Sequence, residues 1–347
     1  MSDIPKERMI LRSMKRRRIY EVKNDKKAEN GEIEDRLSNL PDGVLLHILS
    51  FLDTTYAVQT CVLSKRWKYL WKSIPTLILH SERFYTVEQF AKFASKILTL
   101  RLRKKSAALD TLHLDCRGGI EPRILKKIFN YVSSHNTHLQ KLEISGYGET
   151  SLIMRCISSC QALTSLKLGC IKFPRPFFPK SLNLPALTSL NLKAFIFCGG
   201  DDNCAEPFSA FTKLNSLVID TCAVRDAKIL RVSSETLLNL AMHDNSYSFD
   251  KIQLFTPSLS TFTHTGHPDQ RICGSGLSSV TQVYIAAEMH SHLEKPAMLL
   301  LSWLQDLANV KSLTVSSTTL QVLCHVFRFF YFTFFLIKIL YFISKFC

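Results

Sequence analysis

The sequence lacks the features that define several large protein classes. Its 347 residues include only 12 glycines and 12 prolines, which excludes collagen-like and proline-rich proteins. Acidic residues are also scarce, because 29 Asp and Glu stand against 44 Lys and Arg, a formal net charge of +15. That excess favours acidic partners, such as nucleic acid, a membrane surface or an acidic protein face. Hydrophobic residues still make up 46% of the chain, which is enough for a folded core.

The 11 cysteines lack the paired spacing of a zinc site, because no two of them form a C-x-x-C motif. A secretory signal is also missing, since charged residues occupy the positions where its apolar run would lie. We therefore predict a reduced compartment, the nucleus and/or the cytoplasm, in which the thiols serve as small buried groups.

Motifs for catalysis or cofactor binding are missing as well. The sequence has no G-x-S-x-G motif, and the glycines at 274 and 276 lack the strand and helix of a phosphate loop. His264 and His267 have no further ligands spaced with them, so we interpret their segment as a loop. We predict a non-enzymatic protein with no catalytic residue, no metal site and no cofactor.

The N-terminal 34 residues are polar and charged, which predicts a disordered basic tail. The run Lys15–Arg18 has two interpretations, a nuclear import signal or a solvated charge run. From residue 35 to 72 the pattern changes, because apolar residues recur at spacings of three and four and predict short helices. Three helices in so short a segment enclose a very small core, which is marginally stable alone. We therefore expect them to pack against a partner surface.

The stretch from 73 to 320 repeats the template L-x-x-L-x-L. Copies begin at residues 109, 139, 163, 187, 214, 237, 259, 280 and 310, and a capping copy begins at Ile74. Each unit buries its apolar face only by stacking on its neighbours. Helical periodicity separates the early copies, at 90–98, 122–132 and 152–157. The sequence therefore predicts an α/β leucine-rich-repeat solenoid, with strands on the concave face and helices on the convex face.

The repeat stops near residue 320, and the last segment, 321–347, is a hydrophobic tail. It is rich in phenylalanine from Val326 onward and carries only Arg328, Lys338 and Lys345 as charges. Three interpretations stay open: translated noncoding sequence, a membrane tail anchor of nearly sufficient length, or a buried end of the solenoid.

Residues 35–52 and 61–71 resemble an F-box. The resemblance rests on the pair Leu40-Pro41, the stretch Ile48-Leu49-Ser50-Phe51-Leu52 and the end Ser64-Lys65-Arg66-Trp67. The repeats that follow resemble those of the plant F-box, leucine-rich-repeat and FBD group, so the resemblance covers roughly residues 35–320. The FBD module usual in that group is not visible in this sequence, which suggests a truncated member.

The resemblance implies the substrate-recognition subunit of a Skp–cullin–F-box ubiquitin ligase. The F-box would dock on the Skp-type adaptor, which bridges to the cullin, while the repeats hold an unknown protein substrate for ubiquitination. Catalysis would then come from proximity alone. The residues that match the family's adaptor-facing positions or its helical core are Leu40, Pro41, Ile48, Leu49, Leu52, Cys61, Trp67 and Trp71.

Strand alternation predicts where the substrate binds. The residue between the last two apolar positions of each repeat must point away from the core. In chain order these residues are His113, Glu143, Lys167, Asn191, Val218, Ala241, Thr263, Tyr284 and Thr314. We expect Tyr284, the one large aromatic side chain, to be the main contact, with His113, Glu143 and Lys167 giving orientation. Substrate binding on loops at the rim is the alternative.

Two other functions stay open. The segment 166–193 carries five cations and no acidic residue, which is consistent with nucleic-acid binding or with a solvated basic face. The second is a membrane-tethered F-box adaptor. It requires that the hydrophobic tail 321–347 is a genuine part of the protein.

We predict that the tail from Val326 is not part of the repeat core, because it lacks the repeat spacing. Deleting residues 326–347 should leave the thermal transition of the repeats nearly unchanged and raise solubility, as measured by calorimetry and by sedimentation. A large drop in the transition temperature would show instead that the tail caps the solenoid.

Overall fold

The computed structural model describes residues 37, 39–102, 108–119, 121–134, 138–169, 174–245, 249–288, 294–307 and 310–329. The predicted N-terminal tail and the tail beyond residue 329 therefore lie outside the described residues. The chain divides into two units, Met1–Pro41 and Asp42–Cys347. In the first unit the Leu40 amide donates to the Leu37 carbonyl at 3.3 Å.

Three short helices open the second unit, as the sequence predicts. They are α1 (Asp42–Ser50), α2 (Thr54–Gln59) and α3 (Trp67–Leu70), and 3-10 turns extend α2 and α3 through Val62 and Ser73. Asp53 is the N-cap of α2. Its carboxylate accepts a hydrogen bond from the Thr55 amide at 2.7 Å. The small core that the three helices share consists of Leu45, Leu49, Ala57, Trp67, Leu70 and Trp71.

The strands, numbered β1 to β16 along the chain, include ten that form one parallel sheet in the order β1-β2-β3-β4-β5-β8-β11-β13-β15-β16. Each of the ten is one copy of the repeat template, so every strand predicted from that template is confirmed. Their bounds are β1 Thr76–His80, β2 Thr111–Gly119, β3 Lys141–Tyr147, β4 Ser165–Gly169, β5 Ser189–Lys193, β8 Ser216–Asp220, β11 Asn239–His243, β13 Thr261–Gly266, β15 Gln282–Ala287 and β16 Ser312–Val315.

The strands pair in a constant register along the central part of the sheet. Leu112 lies opposite Leu142, and Leu142 lies opposite Leu166, with the same relation continuing to β16. The template leucines of the inner strands are buried, so the sheet turns one continuous apolar face to the core. Equivalent repeat positions therefore form straight rows across the sheet.

Helices cover that apolar face behind the first strands. They are α4 (Val87–Leu102), α5 (Pro122–Ser133) and α6 (Thr150–Ser158), and they confirm the three predicted helical segments. The α5 helix begins with Pro122, where a missing N–H costs nothing, and buries its apolar stripe, including Ile124, Leu125 and Ile128.

The fold class is confirmed, but the layer that packs behind the middle strands of the sheet is not helical as expected. There short strands replace the expected helices. Four of them, β7 (Cys204–Ala205), β10 (Ile229–Ser233), β12 (Lys251–Phe255) and β14 (Arg271–Cys273), form one sheet, and β6 (Ile196–Cys198) pairs with β9 (Ala223–Arg225). The copies that contain these strands are about 21 to 27 residues long, shorter than the copies of 30 residues or more that contain α4 and α5, so less chain is left for a helix.

Helices return at the C-terminal end of the described chain. These are α7 (Glu294–Asp306) and α8 (Ser317–Phe329), which flank β16. The α8 helix crosses the predicted boundary at residue 320 and buries Val322 and Leu323. Among the described residues no helix is long and apolar enough to cross a membrane.

His264 lies at an inward position of β13, where the template expects an apolar residue, and not in a loop. Its ring packs edge-on against Trp303 at 4.8 Å between centroids, and its Nδ1 has no hydrogen-bond partner among the described residues. Burial lowers the pKa of His264, and together with smaller contributions from the nearby His243 and His267 it brings that pKa to about 3. The repeat therefore tolerates a buried neutral histidine at a stability cost that depends on pH.

Replacing His264 by Leu restores the template and should stabilise the protein. The unfolded chain binds a proton at this site below about pH 6.5 while the folded chain does not, so folding loses up to about 1.4 kcal/mol per pH unit on acidification. The gain in transition temperature from His264→Leu should thus be larger at pH 5 than at pH 7.5. An equal drop in transition temperature between pH 7.5 and pH 5 in the wild type and the variant would contradict this. The control is His47→Gln, which changes an exposed histidine.

Candidate functional site

The first candidate surface lies on α1. Val44, Ile48 and Phe51 follow at spacings of four and three, so they lie on one side of the helix. All three are exposed, and Phe51, directly after the helix, keeps 72% of its area accessible. We call them the α1 apolar stripe. Exposed apolar residues on a very small domain indicate a protein-binding surface.

The residues predicted to bind the adaptor fall into two groups. Ile48 is part of the α1 apolar stripe, Pro41 is exposed, and Leu40 and Leu52 are half-buried. The other three are buried, namely Leu49, Trp67 and Trp71. Their burial gives them a role inside the chain, where they set the positions of α1 and α3.

Phe51, Val62 and Leu63 are exposed apolar side chains of this region that the sequence reasoning did not single out. For Phe51 the signal was present, because the spacing from Val44 through Ile48 already marks one helix face. Val62 and Leu63 follow α2 in a 3-10 turn, where no periodicity separates inward from outward positions.

The helical segment is joined directly to the first strand of the sheet. The Ile78 amide of β1 donates to the Thr54 hydroxyl at 3.0 Å. His80 Nδ1 lies 3.1 Å from a carboxylate oxygen of the buried Asp53, and Arg83 donates to the Tyr56 hydroxyl at 2.5 Å. The Thr54 contact satisfies one backbone donor on the outer edge of β1, and the other two join side chains across the same junction.

A buried arginine makes a second link to the same segment. The Arg101 side chain, on α4, is fully buried and donates to the Ile74 carbonyl at 2.5 Å and to the Tyr131 hydroxyl at 2.8 Å. A buried guanidinium needs such partners, because desolvating it otherwise costs several kcal/mol. The contacts fix α4, α5 and the end of the helical segment relative to one another.

The second candidate surface is the outer face of the ten-stranded sheet. The register places the nine predicted residues in one row, each opposite the next. None of the nine is buried, whereas the template residues on either side of each are mostly buried. The row is therefore accessible to a partner, and its binding role remains a prediction.

The N-terminal end of this row is charged and concave. Glu143 pairs with the Lys167 ammonium, and the His113 ring nitrogen Nε2 lies 3.6 Å from its carboxylate. Partial burial lowers the pKa of His113, with Glu143 acting in the opposite direction. A pocket of about 270 Å³ opens here, and its polar lining consists of Thr111, His113, Lys141, Glu143, Ser165, Lys167, Ser189 and Asn191. This lining suits hydrogen bonding to a polar segment.

The C-terminal end of the row is uncharged. Val218, Ala241 and Thr263 are small, and Tyr284 beyond them is 41% exposed. An exposed aromatic ring beside small side chains suits contact with an apolar group of a partner.

Chemically reactive groups are few in the described part of the chain. No group of three or more His, Cys, Asp or Glu is placed there to hold a metal ion. Cys116 and Cys222 are buried at strand ends, as predicted, and burial raises the pKa of each thiol to about 12. Neither thiol has the thiolate character that a nucleophile requires. Cys170 lies outside the described residues.

Comparisons with known proteins agree with this geometry. Residues 37–79 match the F-box domain family, a span that includes the three helices and most of β1. An Arabidopsis thaliana F-box/FBD/LRR-repeat protein is 26% identical over 319 residues, which is 85% of this chain and 68% of the relative. A putative FBD-associated F-box protein of the same plant is 32% identical over 216 residues, covering 60% of this chain and 44% of that relative.

A third relative, an Arabidopsis thaliana F-box/LRR-repeat protein, is 28% identical over 222 residues, 62% of this chain and 70% of its own length. The chain spans only about half the length of several such relatives, for instance 47% of a further F-box/FBD/LRR-repeat protein. With an F-box domain match at 37–79 and a solenoid of parallel strands in the residues that follow, the chain is similar to the F-box/LRR-repeat proteins of Arabidopsis thaliana.

Proposed function

We propose that this protein is the substrate-recognition subunit of a Skp–cullin–F-box ubiquitin ligase. F-box domains generally bind Skp-type adaptors, and the relatives that match most of this chain combine an F-box with leucine-rich repeats. The observation that carries the proposal is the F-box at 37–79 with its exposed α1 apolar stripe. The protein would contribute binding and geometry, and no reaction step would use its own side chains.

The proposed mechanism is positioning. A substrate on the solenoid and an adaptor on the F-box would be held at a fixed separation, because Thr54, Asp53 and Arg101 tie the two parts together. Tethering raises the local concentration of substrate lysines at the ubiquitin thioester carried by the ligase. A loose junction would lower that effective concentration.

We further propose that the α1 apolar stripe binds the adaptor, and that Leu40 and Pro41, which precede α1 in the chain, contribute to adaptor binding as well. Burying one large apolar side chain contributes about 1.5–3 kcal/mol, so a few residues suffice for micromolar affinity. The buried Leu49, Trp67 and Trp71 would support this surface from inside the F-box.

Changing Leu40 and Pro41 together to Ala should remove about 2–4 kcal/mol of adaptor binding, enough to abolish capture at micromolar concentration. Phe51→Ala should weaken binding in the same direction. Titration calorimetry with the purified adaptor measures the effect, and circular dichroism checks the fold. Tyr85→Ala, which removes an exposed ring outside the F-box, is the matched control. Undiminished binding by the folded double variant would rule out this surface.

We propose that the protein substrate lies along the row from His113 to Thr314. The two ends of the row offer different chemistry, a polar pocket at His113, Glu143, Lys167 and Asn191 and an aromatic contact at Tyr284. A polypeptide segment long enough to span the row would use both.

Alanine substitutions at His113, Glu143, Lys167, Asn191 and Tyr284 should reduce substrate capture, with Tyr284→Ala the most severe because aromatic contacts dominate hot spots. Crosslinking followed by mass spectrometry gives the proteins captured by the wild type and by each variant. Adaptor binding controls for folding. Normal capture by all five variants, with loss on substituting turn residues in 199–203 or 267–270, would place the substrate on the rim instead.

The alternative of nucleic-acid binding gains no support from the segment 166–193. Lys167 pairs with Glu143, Lys193 lies 2.7 Å from the Asp220 carboxylate, and Lys180 donates to the Gly199 carbonyl. These three cations are paired or hydrogen-bonded within the protein, and Lys172 lies outside the described residues. A membrane-tethered role depends on the tail beyond residue 329, which lies outside the described residues.

A further inference from the structure

The outer side of the helix layer carries a concentration of positive charge. The cations are spread over three neighbouring helices, and all are exposed except the half-buried Lys96: Lys92 and Lys96 on α4, Arg123, Lys126 and Lys127 on α5, and Arg155 on α6. We call these six residues the basic helix face. It lies on the opposite layer from the concave row of the sheet.

Within the part of the chain that the structure describes, no ion pair compensates this charge. Glu88 lies four residues before Lys92 on α4 and offsets part of the charge of that one cation, while Glu121 and Glu149 precede α5 and α6. The outer face of the sheet differs, because Lys167 and Lys193 there are both paired.

The arrangement brings like charges together. Lys92 and Lys96 are four residues apart on α4, as are Arg123 and Lys127 on α5, and pairs at that spacing repel. The two pairs are also neighbours, because the Lys127 ammonium donates to the Ser95 hydroxyl of α4 at 2.6 Å. Six cations that form no ion pair among the described residues therefore repel one another, and a polyanionic partner would relieve that repulsion.

We propose that the basic helix face is a docking surface for an acidic polypeptide segment. Packed helices lie about 8–10 Å apart, so the three helices span roughly 20 Å between the axes of α4 and α6. An extended chain covers that distance in about six or seven residues. The partner is thus a run of about six to eight residues rich in Asp and Glu, crossing the helices from Lys92 to Arg155.

Other polyanions fit this face less well. The aromatic residues of the three helices, among them Phe90, Phe93, Phe129 and Tyr131, are buried or half-buried, so bases would find no exposed ring to stack on. The large exposed apolar residues of these helices, Val87 and Leu102, lie at the two ends of α4 and not among the cations. A membrane would therefore gain no inserted side chain at the centre of the face.

The test uses the full chain and a fluorescein-labelled octapeptide of alternating Asp and Glu. Fluorescence anisotropy should show binding that weakens as salt is raised, because exposed charges are screened. The variant Lys92→Gln, Lys96→Gln, Arg123→Gln, Lys126→Gln should lose at least about tenfold in affinity. The control variant Lys213→Gln, Lys228→Gln, Lys251→Gln, Lys311→Gln removes the same charge elsewhere and should lose less than about threefold.

Three results would overturn the proposal. Equal losses in the two variants would show that only net charge matters. Tighter binding of a short DNA duplex or of phosphatidylserine vesicles than of the octapeptide, lost in the first variant, would assign the face to another class of partner. A lower thermal transition in the first variant would show that these cations stabilise the fold, whereas relief of repulsion predicts an equal or higher transition. None of these measurements depends on the adaptor, so they stand apart from the proposed ligase function.

Discussion

The constant register of ten parallel strands is the constraint on which the rest of this structure depends. Side chains alternate along a strand, so one register decides both the core and the accessible face for every repeat. It brings His113, Glu143 and Lys167, which are far apart in sequence, into one row of neighbouring side chains. A parallel sheet of this kind still has an open first edge, and the F-box satisfies one backbone donor there through the bond from the Ile78 amide to the Thr54 hydroxyl.

This junction makes the F-box the N-terminal cap of the solenoid, and the family match through residue 79 already includes most of β1. Cap and solenoid share buried polar contacts, including the donation from Arg101 to the Ile74 carbonyl. Buried polar contacts of this kind are directional, and leaving one partner unsatisfied is costly, so they restrict relative motion. The proposed function needs such stiffness. A subunit that only positions a substrate must keep its two binding surfaces at a fixed separation.

The sequence was most informative where the template was strongest. Leucines at L-x-x-L-x-L positions predicted every strand of the main sheet, and the nine outward residues followed from alternation alone. The short strands of the second layer, such as Ile229–Ser233, were missed because the residues between the copies follow no template, and the shorter spacing of these copies is their only signal. The segment of His264 and His267 was interpreted as a loop because no further metal ligands are spaced with them, although His264 also stands at the third apolar position of the copy that begins at 259. The hydrogen bond between Thr54 and Ile78 joins residues that only tertiary packing brings together. The local sequence pattern therefore does not predict it.

Hydrogen–deuterium exchange across the junction tests the central claim most directly, by comparing the wild type with Thr54→Val. We expect peptides covering α2 and β1 to exchange with a common, slow rate in the wild type, because they form one cooperative unit. In the variant both should exchange faster together, while peptides covering β8 to β15 keep their protection. Fast exchange of α2 beside a protected β1 in the wild type, or no effect of the substitution on β1, would show that the F-box and the solenoid are independent and that the rigid junction does not exist.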